Sequence, residues 1–179
     1  DGRAFSMQTH ASDLITFIDT LKLRPIDIVG WSYGGAICLT AVASHPEIVK
    51  SLFLYEPALA TFIPDPLSAQ RANDDRLEMI AAAKSTADRG NVDGAVQLFM
   101  DGVNDYNGSF ESLPHWVQRM MRENARMLPL LFAAPPPPKV TCEDLGRVAA
   151  PVTVALGADS RTFYRICAEW TARCVPTGR

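Results

Sequence analysis

No stretch of this sequence approaches the roughly 20 consecutive apolar residues that a helix needs to span a bilayer. The N-terminal DGRAFSMQTH has no apolar run of signal-peptide type. It also opens on Asp1 rather than Met, as a processed or truncated end would. There is no C-x-x-C pair among Cys38, Cys142, Cys167 and Cys174. With only His10, His45 and His115 besides, a zinc site has little to build on. Spread through apolar segments, the four cysteines read as reduced thiols of a cytoplasmic protein. A Cys167–Cys174 bridge is disfavoured, because seven helical positions separate the two Cα atoms too widely. Neither G-x-G-x-x-G nor G-x-x-x-x-G-K occurs, so a nucleotide enzyme has no support and no cofactor or metal is expected. Basic residues are short of acidic ones, 17 against 20, and form no stripe. That balance argues against nucleic acid or a membrane as partner and leaves a small-molecule substrate.

What is present suits a globular domain. The chain has 179 residues, 47% hydrophobic and 21% charged, enough for a sizeable core. ASDLITFIDTLKL has apolar residues at helical spacing, with Ser12 or Asp13 as cap and Pro25 as stop. IDIVGW, 26–31, reads as a short buried strand. Residues 33–45 are small and apolar and read as a tightly packed helix. A second strand lies at about 48–55. This alternation predicts a parallel sheet with crossover helices. After Pro57 the texture changes. FIPDPLSAQRANDD looks like a loop, 75–88 like a helix ended by Gly90, and VDGAVQLFMDGV and LPHWVQRMMRENARML like two more helices. The prolines at 135–138 read as a stiff spacer. APVTVALGAD restores the strand pattern at 151–156, and RTFYRICAEWTARC is helical again. The sequence stops at VPTGR, where a further strand is expected.

Within DIVGWSYGGAICLTAVASHP, the pattern G-x-S-x-G falls between the first strand and the helix after it. That context is the one a nucleophile elbow needs. Such a turn forces Ser32 into a strained conformation and lifts its hydroxyl above the carboxyl edge of the sheet. Cβ atoms at the flanking positions are expected to collide, which explains Gly30 and Gly34. Gly35 and Ala36 let the helix approach the strand. The backbone N–H of Tyr33, at the helix N-terminus, is placed to stabilise an oxyanion. The plainer reading is an ordinary strand-to-helix turn with a solvent-facing serine.

These stretches, DLITFIDTLKL through IDIVGWSYGGAICLTAVASHPEIVKSLFLYEP together with VAAPVTVALGAD, resemble the α/β-hydrolase family in its serine-nucleophile branch. They cover about half the chain. The resemblance implies an α/β fold, a partial α/β-hydrolase with a parallel sheet, crossover helices and a helical cap insertion. It divides the chain into a first core part (1–57) with the elbow, a cap (58–147) and a second core part (148–179). It implies Ser32 as nucleophile, activated by a histidine that an acid orients, with acyl transfer followed by attack of water. Asp159 in ALGADS matches the usual place of the acid; Glu56 is the alternative, and helix capping is a third role for Asp159. The family's histidine follows the last strand. His10, His45 and His115 lie elsewhere and read as surface or helix-end residues, so the catalytic histidine is expected to be absent from this sequence. The loop that gives the second oxyanion donor is absent too. The resemblance therefore implies a fragment cut at both ends, with little turnover of its own and an exposed apolar edge on strand 26–31. Trp31, Trp116 and Met120 are the candidate pocket residues. The substrate implied is a small, largely apolar ester or related carbonyl compound. A non-catalytic ligand-binding relative and an acyltransferase stand as alternatives.

Overall fold

The computed structural model describes residues 5–179. The chain forms two compact units, Asp1–Ala72 with Pro136–Arg179, and Asn73–Pro135. In chain order the elements are α1 (Met7–Thr20), β1 (Ile26–Trp31), α2 (Tyr33–Ser44), β2 (Val49–Tyr55), α3 (Pro66–Asp88), α4 (Val92–Asn104), α5 (Ser109–Ser112), α6 (His115–Glu123), α7 (Met127–Phe132), α8 (Cys142–Gly146), β3 (Val152–Ala155) and α9 (Thr162–Cys174).

In the first unit β1, β2 and β3 make a parallel sheet in that order. The predicted alternation of strands and crossover helices is therefore present. Its registers pair Gly30 with Leu54 and Leu54 with Val154. One face is covered. Leu52, Leu54 and Val152 are buried there, with Leu39 and Val42 of α2 and Ile18 of α1 also inside the core. Each such side chain contributes about 1.5–3 kcal/mol on burial. Helix α2 is apolar nearly all round, so it is buried nearly all round; its one polar interior group, the Thr40 hydroxyl, donates to the Ala36 carbonyl at 2.9 Å. The other face is open. Val29 is 77% exposed and its register partner Phe53 is 40% exposed, and Trp31 is 68% exposed. Strand β1 is also an edge of the sheet, so the expected apolar edge is present. At the far edge Gly178 pairs in parallel with Val152, and the Val154 N–H donates to the Arg179 carbonyl at 2.8 Å.

Two helices begin earlier than their apolar spacing predicts, because capping decides the start. Ser6, not Ser12 or Asp13, caps α1, accepting from the Thr9 N–H at 3.0 Å. The stretch read as a loop before residue 75 is already helical from Pro66, a residue suited to a first turn. Asp65 caps it by accepting from the Ser68 N–H at 2.8 Å.

The reading of four reduced cysteines is corrected. Cys142 and Cys174 form a disulfide with Cα atoms 5.0 Å apart, joining α8 to the end of α9. Cys38 and Cys167 remain free and buried. A separation of 32 residues carries no local signal that two helix ends will meet. Thr141 and Asp144 form a reciprocal capping box at the start of α8.

The second unit is helical throughout, as the sequence predicts for this insertion. Its core gathers Ala87, Ala95, Val96, Phe110, Ala125 and Leu128. The buried Asp101 carboxylate accepts from the Phe110 N–H at 2.9 Å, and the Arg122 guanidinium lies 4.8 Å from the centre of the Phe110 ring. This compact unit spans Asn73–Pro135, inside the stretch 58–147. Residues 58–72 and 136–147 belong with the sheet, and the Thr61 hydroxyl donates to the Pro138 carbonyl at 3.1 Å. Among the described residues no helix is long and apolar enough to cross a membrane.

Candidate active site

Ser32 occupies the single residue between β1 and α2, with φ 50° and ψ −120°. A side chain rarely adopts that conformation, at a cost of about 1–3 kcal/mol, unless its surroundings over-determine it. Here three backbone hydrogen bonds do so. The Ser32 N–H donates to the Tyr55 carbonyl at 3.0 Å, and the Ser32 carbonyl accepts from Ala36 and from Ala58, each at 3.1 Å. The half-buried Ser32 side chain makes no capping bond to α2. The Ser32 hydroxyl acts on the buried Tyr164 phenol of α9, drawing its pKa down.

The glycines around it divide differently from the motif. A Cβ on Gly30 would lie 2.9 Å from both Cys38 Sγ and Gly35 Cα. One on Gly35 would lie 3.1 Å from Pro57 Cα. One on Gly34 would meet nothing within 4 Å. The collision expected at Gly34 thus falls at Gly35. Helix α2 crosses β1 and the loop after β2 on that side, so Gly34 faces open space.

Tyr33 begins α2, and its N–H has no acceptor within the helix. Its hydroxyl lies 3.2 Å from His10 Nδ1, and its ring stacks on Phe5 with centroids 6.3 Å apart. Burial pushes the Tyr33 phenol up from its ordinary value. His10 is therefore more than a helix-end residue: it packs against the residue after Ser32. No hydrogen bond joins it to Ser32 among the described residues. His45 Nδ1 lies 3.0 Å from the Ser44 hydroxyl at the end of α2, and His115 is exposed at the start of α6.

The two candidate acids sit in contrasting places. Glu56 follows β2 with φ 50°. Its Oε1 accepts from the Gly157 N–H at 3.2 Å and from the Ser160 hydroxyl. Asp159 is exposed in the turn after β3. It does not cap α9, whose N-cap is the buried Arg161. Tyr164 lies within the electrostatic reach of Glu56 and Arg161 together. Burial above all pushes its phenol up; the nearby Ser32 hydroxyl and the Arg161 charge act the other way, and Glu56 adds to the rise. Trp31 is exposed, its ring 6.4 Å from that of Tyr55. Trp116 and Met120 are exposed on α6 in the second unit. Gly157 and Ser160 are the residues that sequence reasoning missed. Their bonds to Glu56 depend on the pairing of β3 with β2, which no local spacing signals.

The site is thus a strained serine where strand meets helix, with glycines pressed between the two, on a parallel α/β scaffold. The model of the alpha/beta hydrolase fold family matches residues 2–126, and the chain belongs to that family. Lipase LipV of Mycobacterium tuberculosis is 28% identical over 86 residues, 46% of this chain and 33% of the lipase. Among solved structures, the esterase EaEST from Exiguobacterium antarcticum superposes with a TM-score of 0.69 at 16% identity, covering 100% of this chain and 65% of that one. An alpha/beta hydrolase from Sphaerobacter thermophilus DSM 20745 gives 0.64 at 22% identity, covering 100% and 67%. At these identities the structural likeness shows the fold. The chain spans about a third of the curated relatives it matches, 35% and 33%.

Proposed function

We propose that this chain carries the nucleophile of a serine hydrolase, acting on a small, largely apolar ester or related carbonyl compound through an acyl-Ser32 intermediate. The observation that carries the reading is the positive φ of Ser32, held by bonds to Tyr55, Ala36 and Ala58, with a hydroxyl that plays no capping role. A strained residue kept in place by three backbone bonds implies that its aim matters. In the proposed reaction Ser32 Oγ attacks the carbonyl carbon, and the negative charge that develops on oxygen meets the Tyr33 N–H and the positive end of α2. The leaving group departs with a proton, and water then releases the acyl group by the reverse steps.

Glu56 is the better placed of the two acids to hold a charge near this centre. Its carboxylate is already fixed by Gly157 and Ser160. None of His10, His45 and His115 is proposed as the general base. Without one, catalysis falls toward the roughly 10³–10⁴-fold over water that binding and oxyanion stabilisation leave. The esterase and lipase names of the relatives support a hydrolase in the coarse sense.

The test is covalent. The 179-residue chain is incubated with a fluorophosphonate and digested, and the adduct is located by mass spectrometry. The expected site is Ser32, with no adduct on Ser32→Ala. An adduct elsewhere, or none after prolonged exposure, overturns the nucleophile assignment. Hydrolysis of p-nitrophenyl esters at ordinary enzymatic rates would instead overturn the exclusion of the three histidines.

A further inference from the structure

We propose that helices α6 and α7 dock on an anionic lipid surface, laying Trp116, Met120, Met127 and Leu130 against its hydrocarbon and Arg119 and Arg126 among its headgroups. The proposal is independent of any role for Ser32 and concerns the second unit alone.

Both helices already send one apolar side inward. Leu128 is buried in the core of the unit, and Met121, Leu131 and Phe132 pack against that core. A second apolar set is left outside. Trp116 is 63% exposed, Met120 47%, Met127 45% and Leu130 51%. One exposed apolar side chain is ordinary, but four on two short successive helices are not. Trp116 and Met120 stand one turn apart on α6 and so share a side of it.

Charge says what covers that side. The chain has 20 acids against 17 bases, and most acids of this unit lie on α3, α4 and α5. From His115 to Phe132 the balance reverses: Arg119, Arg122 and Arg126 face a single acid, Glu123. The chain-wide excess of acid, which argues against a membrane partner, conceals this local balance. All three arginines are exposed. Arg122 lies over the Phe110 ring, but among the described residues neither Arg119 nor Arg126 forms an ion pair. Uncancelled cations beside exposed Trp and Met complement a surface that is anionic outside and apolar beneath. An arginine stem lies along apolar surface while its guanidinium stays in water, and an indole favours the same boundary. A nucleic acid offers the charge without the hydrocarbon. A second copy meeting the same side brings arginines toward arginines. Neither helix is long and apolar enough to cross a bilayer, so both lie along its surface.

The experiment is co-sedimentation of the 179-residue chain with vesicles of phosphatidylglycerol and phosphatidylcholine in equal parts. Binding is expected at about 0.1 M salt and release near 1 M, where screening is nearly complete. Replacing Trp116 and Met120 together by serine is expected to weaken partition about ten-fold or more. Arg119→Gln with Arg126→Gln is expected to weaken it about five-fold for each charge, and Glu123→Gln to strengthen it by a similar factor. Leu67→Gln alters a side chain 72% exposed on α3 and is expected to leave binding unchanged. Circular dichroism checks that each protein is folded. If the serine variant does not fold, the arginine pair and Glu123→Gln decide. No binding by the unaltered chain overturns the proposal. So does binding that ignores the arginines and Glu123, or a loss for Leu67→Gln as large as for the serine variant. A single-stranded oligonucleotide bound through the arginines while vesicles are not, or a dimer that the serine variant dissolves, assigns this side to another occupant and overturns it as well.

Discussion

Replacing Gly30 by alanine adds a methyl group where the elbow has no room. The new Cβ would lie 2.9 Å from Cys38 Sγ, 2.9 Å from Gly35 Cα and 3.2 Å from Gly35 N. The sulfur ends a buried side chain, and the other two atoms are backbone at the start of α2. Relief therefore requires α2 to lift from β1, where Leu39 and Val42 are fully buried. Overpacking of this kind costs about 1–3 kcal/mol. Adding Cys38→Ala removes the sulfur contact but not the backbone one, so the double variant is expected to recover only part of the loss. Gly34→Ala is the control. Its Cβ meets nothing within 4 Å, and alanine is the better helix former by about 0.8–1.0 kcal/mol in a helix interior. A smaller gain is expected in the first turn. Urea unfolding measures these differences as shifts of midpoint at constant slope. Trp116 belongs to the second unit, so a Trp116→Phe background leaves Trp31 and Trp170 to report on the first. With a slope of about 2 kcal/mol/M, Gly30→Ala is expected to lower the midpoint by roughly 0.5–1.5 M. A shift near zero for Gly30→Ala, or an equal loss for Gly34→Ala, would refute the packing argument.

Reducing the Cys142–Cys174 bridge opens a loop defined by a separation of 32 residues, a loss of roughly 3–4 kcal/mol in the chain-entropy description. Urea midpoints with and without dithiothreitol measure it, and coincident curves would mean that packing alone holds α8 to α9. Asp144 makes a pH prediction. Its carboxylate accepts from the Thr141 hydroxyl at 2.7 Å and the Thr141 N–H at 2.9 Å, and pairs with Arg147 at 2.8 Å. The hydroxyl bond is the largest cause holding its pKa below the ordinary 3.8. The folded value is depressed, so the stabilisation is complete above 3.8 and is lost as pH falls through the folded value. Acid titrations followed by circular dichroism are expected to show a shallower loss below about pH 4 for Asp144→Asn, and parallel curves would refute the assignment.

The strand at 26–31, the helix after Ser32 and the strand ending at Tyr55 were legible because each is specified locally, by apolar spacing and by glycine. The starts of α1 and α3 were less so. There a polar cap, Ser6 or Asp65, outweighs the apolar period, and the period says nothing of caps placed before it. Gly34 and Gly35 look alike in sequence, and only the approach of Pro57 separates them.

The site itself divides along the same line. Everything that shapes the elbow lies between residues 26 and 58: the strand, the strained serine, the carbonyl of Tyr55, the N–H of Ala58 and the close approach of Pro57 to Gly35. It is a self-contained strand–helix–strand device, and it reads from sequence as one. The groups that hold Glu56 come from much further along the chain. Ser160 meets Glu56 across 104 residues, and Gly157 across 101. Their meeting is fixed by the register of β2 on β3, which sets Tyr55 opposite Ala155 and so brings the turn after β3 beside the turn after β2. The hold on Glu56 is thus decided less by a local motif than by how β3 pairs with β2. A substitution that shifted that pairing would part Glu56 from Gly157 and Ser160 without touching any of the three.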